Sequence, residues 1–131
     1  MAPAGDGRHR EFAMPITTRI DQGIMITPPA QLTGEVARYF RQEMLAMIPN
    51  HTGKLAVDLS HVTAIDADGL SVLVSLHDAL SPQALIVVEP SPIMQTELER
   101  VRLFELFDIY YQRDPLLVPD AHAPGSSREV A

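Results

Sequence analysis

The sequence predicts a single α/β domain, and three observations carry that reading. Short runs rich in β-branched residues, such as Lys54–Leu59 (KLAVDL) and Ala84–Val88 (ALIVV), alternate with longer segments whose apolar residues recur every three or four positions. Pro, Gly and Asn stand at the junctions and keep the connections short. The 131 residues suit one domain, and 46% of them are hydrophobic, enough for a sizeable core. With no Trp, that core has to be mainly aliphatic.

The elements follow in order. Ile16–Thr27 (ITTRIDQGIMIT) holds Asp21-Gln22-Gly23 between β-branched residues and reads as one or two short strands with a turn. Pro28-Pro29 stops it. Thr33 can cap a helix over Gly34–Ile48, where Val36, Phe40, Met44, Met47 and Ile48 fall at helical spacing. Pro49–Gly53 ends that helix, and Lys54–Leu59 is a short apolar strand. The next segment fits two templates. Leu70, Val72, Val74 and Leu76 alternate as in a strand, with Asp68-Gly69 as a hairpin turn, whereas Leu70, Leu73, Val74, His77 and Leu80 fit a helix face. Length favours the helix, because about a dozen residues run from Gly69 to Ser81-Pro82 without a breaker. Ala84–Val88 is unbroken and suits a strand buried on both faces. Ser91 can cap a further helix with Pro92 at its first position and Ile93, Met94, Glu97, Leu98 and Val101 along it. Leu106–Tyr111 is either a last strand or the helix end. Residues 1–13 and 114–131 read as disordered tails, the second as a tether or docking segment at most.

Charge and composition exclude several functions. A net charge of −7 argues against a nucleic-acid partner and against docking on an anionic membrane surface. The absence of Cys excludes disulfides and thiolate-bound metals. No apolar run approaches the ~18–20 residues of a membrane span, and the N-terminus lacks the apolar core of a secretory signal. The expectation is a cytoplasmic protein with no direct membrane insertion and no cofactor.

One stretch calls for a chemical explanation: Ala64–Leu70, AIDADGL, with two carboxylates two residues apart before a glycine. As a strand-to-helix connection it has a structural reading. Asp66 caps the helix, Asp68 gains from the helix dipole, and Gly69 lets backbone pass closely. That reading leaves the doubling of the acids unexplained. A calcium loop fails, since Ala64 stands where an oxygen side chain is needed and Ser75 where the closing Glu is needed. Two acids at a helix start repel phosphate. A hydrolytic carboxylate pair would have to converge, and residues two apart here diverge. The histidines His9, His51, His61, His77 and His122 show no zinc spacing, and Asp58, Ser60 and His61 lie too close in sequence to form a triad. His77 is expected to be partly buried or at an interface.

The stretch Leu55–Leu80, LAVDLSHVTAIDADGLSVLVSLHDAL, resembles the central signature of the STAS domain, the module shared by anti-sigma factor antagonists and the cytoplasmic ends of sulfate transporters. The shared pattern is an apolar strand ending in Asp-Leu (Asp58-Leu59), a polar link, an Asp, two small residues, Gly-Leu and an amphipathic helix. The likeness extends more weakly over Ile16–Arg113, and residues 14–113 are taken as the domain. It implies a mixed sheet of about four to five strands packed with about three to four helices. It also implies a non-enzymatic protein-binding module that docks a kinase-like anti-sigma factor through Asp66, Ala67, Asp68, Gly69, Ser71 and exposed positions of the helix. In the family the Ser or Thr directly after the loop Asp is phosphorylated. Here that residue is Ala67, with no hydroxyl, and Asp68 follows as a candidate fixed negative charge. A different role within the same resemblance is an accessory subunit bound to the ATPase of a lipid-transport ABC system. A homodimer is a further option, given Met and Leu residues expected to be exposed on the first helix.

Overall fold

A computed structural model describes residues 16–118. The Ile16–Thr27 segment folds into two strands, β1 (Ile16–Ile20) and β2 (Gly23–Thr27). They pair antiparallel with Ile20 opposite Gly23, so Asp21 and Gln22 alone make the turn. After the Pro28-Pro29 break come a two-residue strand β3 (Gln31–Leu32) and helix α1 (Gly34–Met47), which ends in a 3-10 turn at Ile48–Asn50. Strand β4 (Lys54–Asp58), strand β5 (Ala64–Ile65) and helix α2 (Ala67–Leu80) follow. The ambiguous segment is therefore helical, as its length argued. Strand β6 (Ile86–Val88), helix α3 (Pro92–Arg100) and strand β7 (Asp108–Tyr110) complete the order. Ser91 caps α3 with Pro92 at its start, and Leu106–Tyr111 resolves as a strand.

The main sheet has the order β1-β2-β4-β6-β7, with every pair parallel except the first hairpin. Parallel neighbours need crossovers, and the three helices supply them. Alternation along the strands divides the core in two. Ile26, Leu55, Val57 and Val87 meet Phe40, Met44, Leu73, Leu76 and Leu98 from the helices. Met25, Ala56, Ile86 and Val88 point to the opposite face and meet Ile20 and Leu116. The helices thus lie on one face. On the other, the chain after β7 crosses back, so that Leu116 is buried and its carbonyl accepts the Asp21 N–H at 2.7 Å. Ordered packing therefore continues past Arg113, with a 3-10 turn at Asp114–Leu116 inside the segment expected as a tail. Leu116 supplies the apolar side chain that anchors it. The remaining parts of both expected tails lie outside the described residues.

Two details correct the helical faces read from the sequence. Along α2 the buried stripe is Gly69, Val72, Leu73 and Leu76, while Leu70 and Val74 are only half-buried. The reason is that α2 packs on both the sheet and α1, so its apolar residues serve two directions. On α1, Ala37 rather than Val36 reaches the core, beside Phe40 and Met44. Met44 is buried, and Leu45 and Met47 pack against the core, so none of the exposed large apolar side chains belongs to this helix. The basis for expecting a homodimer there is removed.

Candidate functional site

The two acids of AIDADGL have different tasks. Asp66 occupies the N-cap of α2 in extended backbone, and its Oδ1 accepts the Gly69 N–H at 3.0 Å. Its other oxygen, Oδ2, accepts the N–H of Gly34, the first residue of α1, at 3.0 Å. One carboxylate therefore caps two helices. Thr33, expected to cap α1, stands at the N-cap position but makes no side-chain hydrogen bond. Its place is taken by an acid 32 residues away in sequence from Gly34. The Gly69 N–H above all, with that of Gly34, holds the Asp66 carboxyl below its usual range against partial desolvation.

A second, two-stranded sheet makes this sharing feasible. β3 and β5 pair parallel, with Gln31 opposite Ala64 and Leu32 opposite Ile65. The Thr63 N–H adds a bond to the Ala30 carbonyl at 2.8 Å. This patch sets the starts of α1 and α2 side by side. Gly69 is needed at the junction. A Cβ there would stand 2.1 Å from the Leu32 carbonyl oxygen and 2.7 Å from Ile65 Cγ1. Sequence reasoning missed the patch, since two-residue strands carry no periodicity.

Asp68 faces outward and pairs with Arg38 of α1 at 2.8 Å, with both side chains well exposed. Ala67 and Ser71 are exposed beside it. One helical turn on, the Ser75 hydroxyl accepts from Arg41 Nε at 2.8 Å. Between α1 and α2 runs an open groove of about 490 Å³, edged by Arg38, Arg41, Asp68, Ser71 and Ser75. Leu70 and Val74 from α2, with Val101 and Leu103 from beyond α3, give it apolar walls. The expected site residues Ala67, Asp68 and Ser71 thus line one groove, while Asp66 and Gly69 lie outside its lining and fix the start of α2. The arginines were not singled out in the sequence. Their i, i+3 spacing marks an exposed stripe of α1, but nothing local ties that stripe to α2.

A second polar constellation lies at the C-terminal ends of β4 and β6. Asp58, 2% exposed, accepts from the Ser60 N–H at 3.0 Å, the Ser60 hydroxyl at 2.7 Å and Arg113 Nη2 at 2.9 Å. Arg113 also reaches Glu89 at 2.7 Å, and the Arg113 N–H donates to Glu89 at 2.9 Å. Burial alone pushes the Asp58 carboxyl up, but Ser60 and Arg113 together outweigh it and hold it below the usual value. Arg113 likewise lowers Glu89, and its own guanidinium is held more firmly protonated, by Glu89 first and Asp58 second. Ser60 is thus committed to Asp58, and His61 is exposed, so the three make no catalytic triad. The network ties the segment after β7 to the sheet. His77 is half-buried, with its ring edge-on to Phe107 at 5.9 Å. Among the described residues no group of three or more His, Asp or Glu side chains is placed to hold a metal ion. No helix among them is long and apolar enough to cross a membrane.

This arrangement, helices on one face of a mixed sheet and a capped loop opening α2, defines a class of small α/β domain. Residues 13–114 match the STAS domain family, and the chain belongs to it. Solved structures show the same fold. A Thermotoga maritima protein provisionally described as an anti-sigma factor antagonist superposes with a TM-score of 0.68 at 21% identity, over 92% of this chain and 99% of that one. The anti-sigma factor antagonist SpoIIAA in its unphosphorylated form superposes with a TM-score of 0.62 at 11% identity, over 90% of this chain and 99% of its own. No curated protein matches the sequence.

Proposed function

We propose that this chain is a non-enzymatic regulatory binding module that docks a kinase-like anti-sigma factor or a related signalling protein. The docking surface is the exposed rim of the Asp66–Gly69 loop, Ala67 and Asp68, with Ser71 and the groove-facing side of α2, and Asp66 and Gly69 hold that rim in place. The observation that carries this reading is the double cap. Asp66 locks the starts of α1 and α2 together and leaves Ala67, Asp68 and Ser71 presented on a rigid, exposed rim. Membership of the STAS family and the likeness to two antagonist folds support the partner class.

Docking in this reading proceeds without phosphorylation at the usual position, because Ala67 offers no hydroxyl. Asp68 is a poor stand-in for a phosphate. Its charge is answered by Arg38 at 2.8 Å, and a carboxylate carries about half the charge of a phosphoryl group. The chain acts in the cytoplasm in this reading, as a constitutive binder whose complexes are regulated from the partner's side. The test is capture on the tagged, full chain from its source cells, with ATP and with ADP, read by mass spectrometry. Recovery of a kinase-like anti-sigma factor is expected, with an unmodified Ala67–Ser71 segment on the bait. Recovery of an ABC ATPase or permease instead would replace this reading with that of a transport subunit.

A further inference from the structure

We infer that the groove between α1 and α2 receives an acidic side chain of the docked partner, with Arg41 as its counterion. The inference rests on the docking reading above and adds the chemistry of the recognised segment. Arg38 and Arg41 both face α2, but their situations differ. Arg38 is neutralised by Asp68 at 2.8 Å. Arg41 forms no ion pair among the described residues, and its Nε donates to the Ser75 hydroxyl, a neutral group. A guanidinium has five N–H donors, and this bond uses one of them. Arg41 is also half-buried, so its charge is less screened than that of a free surface arginine.

The sign of the groove is opposite to that of the molecule. The chain carries −7, yet two arginines and one aspartate leave the groove with one positive charge to spare. One spare charge suits a carboxylate. A phosphoryl dianion would need both arginines, and it would lie against the Asp68 carboxylate that holds Arg38. The walls of Leu70, Val74, Val101 and Leu103 call for aliphatic side chains on either side of the acid. The occupant is therefore a partner segment with a Glu or Asp between aliphatic residues.

The experiment is a titration of the isotope-labelled full chain, followed by NMR. The probes are the blocked peptide acetyl-Leu-Glu-Ala-Leu-amide, its Gln counterpart and inorganic phosphate. The expected result is saturable movement of the Arg41 side-chain signal and of the Ser71 and Ser75 amides with the Glu peptide. The Gln peptide should bind about three- to fivefold more weakly, the range of an exposed to half-buried ion pair. Overall repulsion by the −7 chain would act in the other direction, so a preference for Glu is diagnostic. Arg41→Gln should abolish the preference, and Arg41→Lys should keep it. An unmoved Gly34 amide in both variants would show the double cap intact. Equal binding of the two peptides, perturbation elsewhere, no perturbation, or stronger movement with phosphate would each overturn the inference. A captured partner indifferent to Arg41→Gln would also overturn it while leaving docking in place. A Glu-selective groove with no captured partner would remove the docking assignment instead.

Discussion

Replacing Gly69 by alanine drives a methyl group into the backbone of β3. The added Cβ would sit 2.1 Å from the Leu32 carbonyl oxygen, about 1.3 Å short of the 3.4 Å at which ordinary contact begins. No rotamer relieves this, because both atoms belong to or adjoin the main chain. The start of α2 has to move away from β3, and the Asp66 contact to Gly34 lengthens with it. Overpacking of this kind costs about 3 kcal/mol at the upper end of its usual range. Alanine regains about 1 kcal/mol in helix propensity, which leaves a net loss of about 2 kcal/mol. For a domain of this size that lowers Tm by roughly 8–16 °C. Thermal unfolding followed by circular dichroism measures it, and amide exchange at Gly34 should accelerate in the folded variant. Ile65 provides the control. Its Cγ1 is the second contact at 2.7 Å, yet trimming it leaves the carbonyl clash, so Ile65→Ala should not rescue Gly69→Ala. A Tm within a few degrees of the parent, or rescue through Ile65, would refute the close approach of α2 to β3.

Further expectations concern the charges. Arg113→Ala strands the buried Asp58 carboxylate while leaving Ser60 in place. With Arg113 itself 31% exposed, the loss should be about 2–3 kcal/mol, between surface and fully buried pairs, and a double-mutant cycle with Asp58→Asn in urea should show coupling. Acid should unfold the domain through Asp58, Asp66 and Glu89, whose carboxyls are all lowered on folding. Their stabilisation is complete above the unfolded carboxylate values. It fades from about pH 5 downward through the lower folded values, so stability measured against pH should fall on that side. Asp68→Asn should change stability by less than about 1 kcal/mol, since its pair with Arg38 is exposed, while weakening partner capture. Asp66→Asn should behave in the opposite way, lowering Tm and reducing binding only as the fold loosens, which calorimetry and capture together would separate.

The α/β class, the order of the long elements and the loop that opens α2 were legible in the amino-acid order alone. These rest on signals within a dozen residues: the β-branched run of Ala84–Val88, the Ser91-Pro92 helix start, and Asp66 before an unbroken apolar segment. The STAS signature over Leu55–Leu80 was legible for the same reason, since its spacing reflects one strand, one cap and one helix. What those residues face came from packing between elements. Helical spacing names a stripe but not its azimuth, so Val72 and Leu76 rather than Leu70 and Val74 were drawn to the core once α2 packed against both α1 and the sheet. In the sequence Asp66 was legible as the cap of α2 and Asp68 only as a charge favoured by the helix dipole. Only the β3–β5 pairing, far apart along the chain, turned Asp66 into a cap for two helices and left Asp68 to meet Arg38. Arg41 and Arg113 became chemically distinct for the same reason. A charge acquires its role from the partners within a few ångströms, and chain folding brings those partners from 34 and 55 residues away.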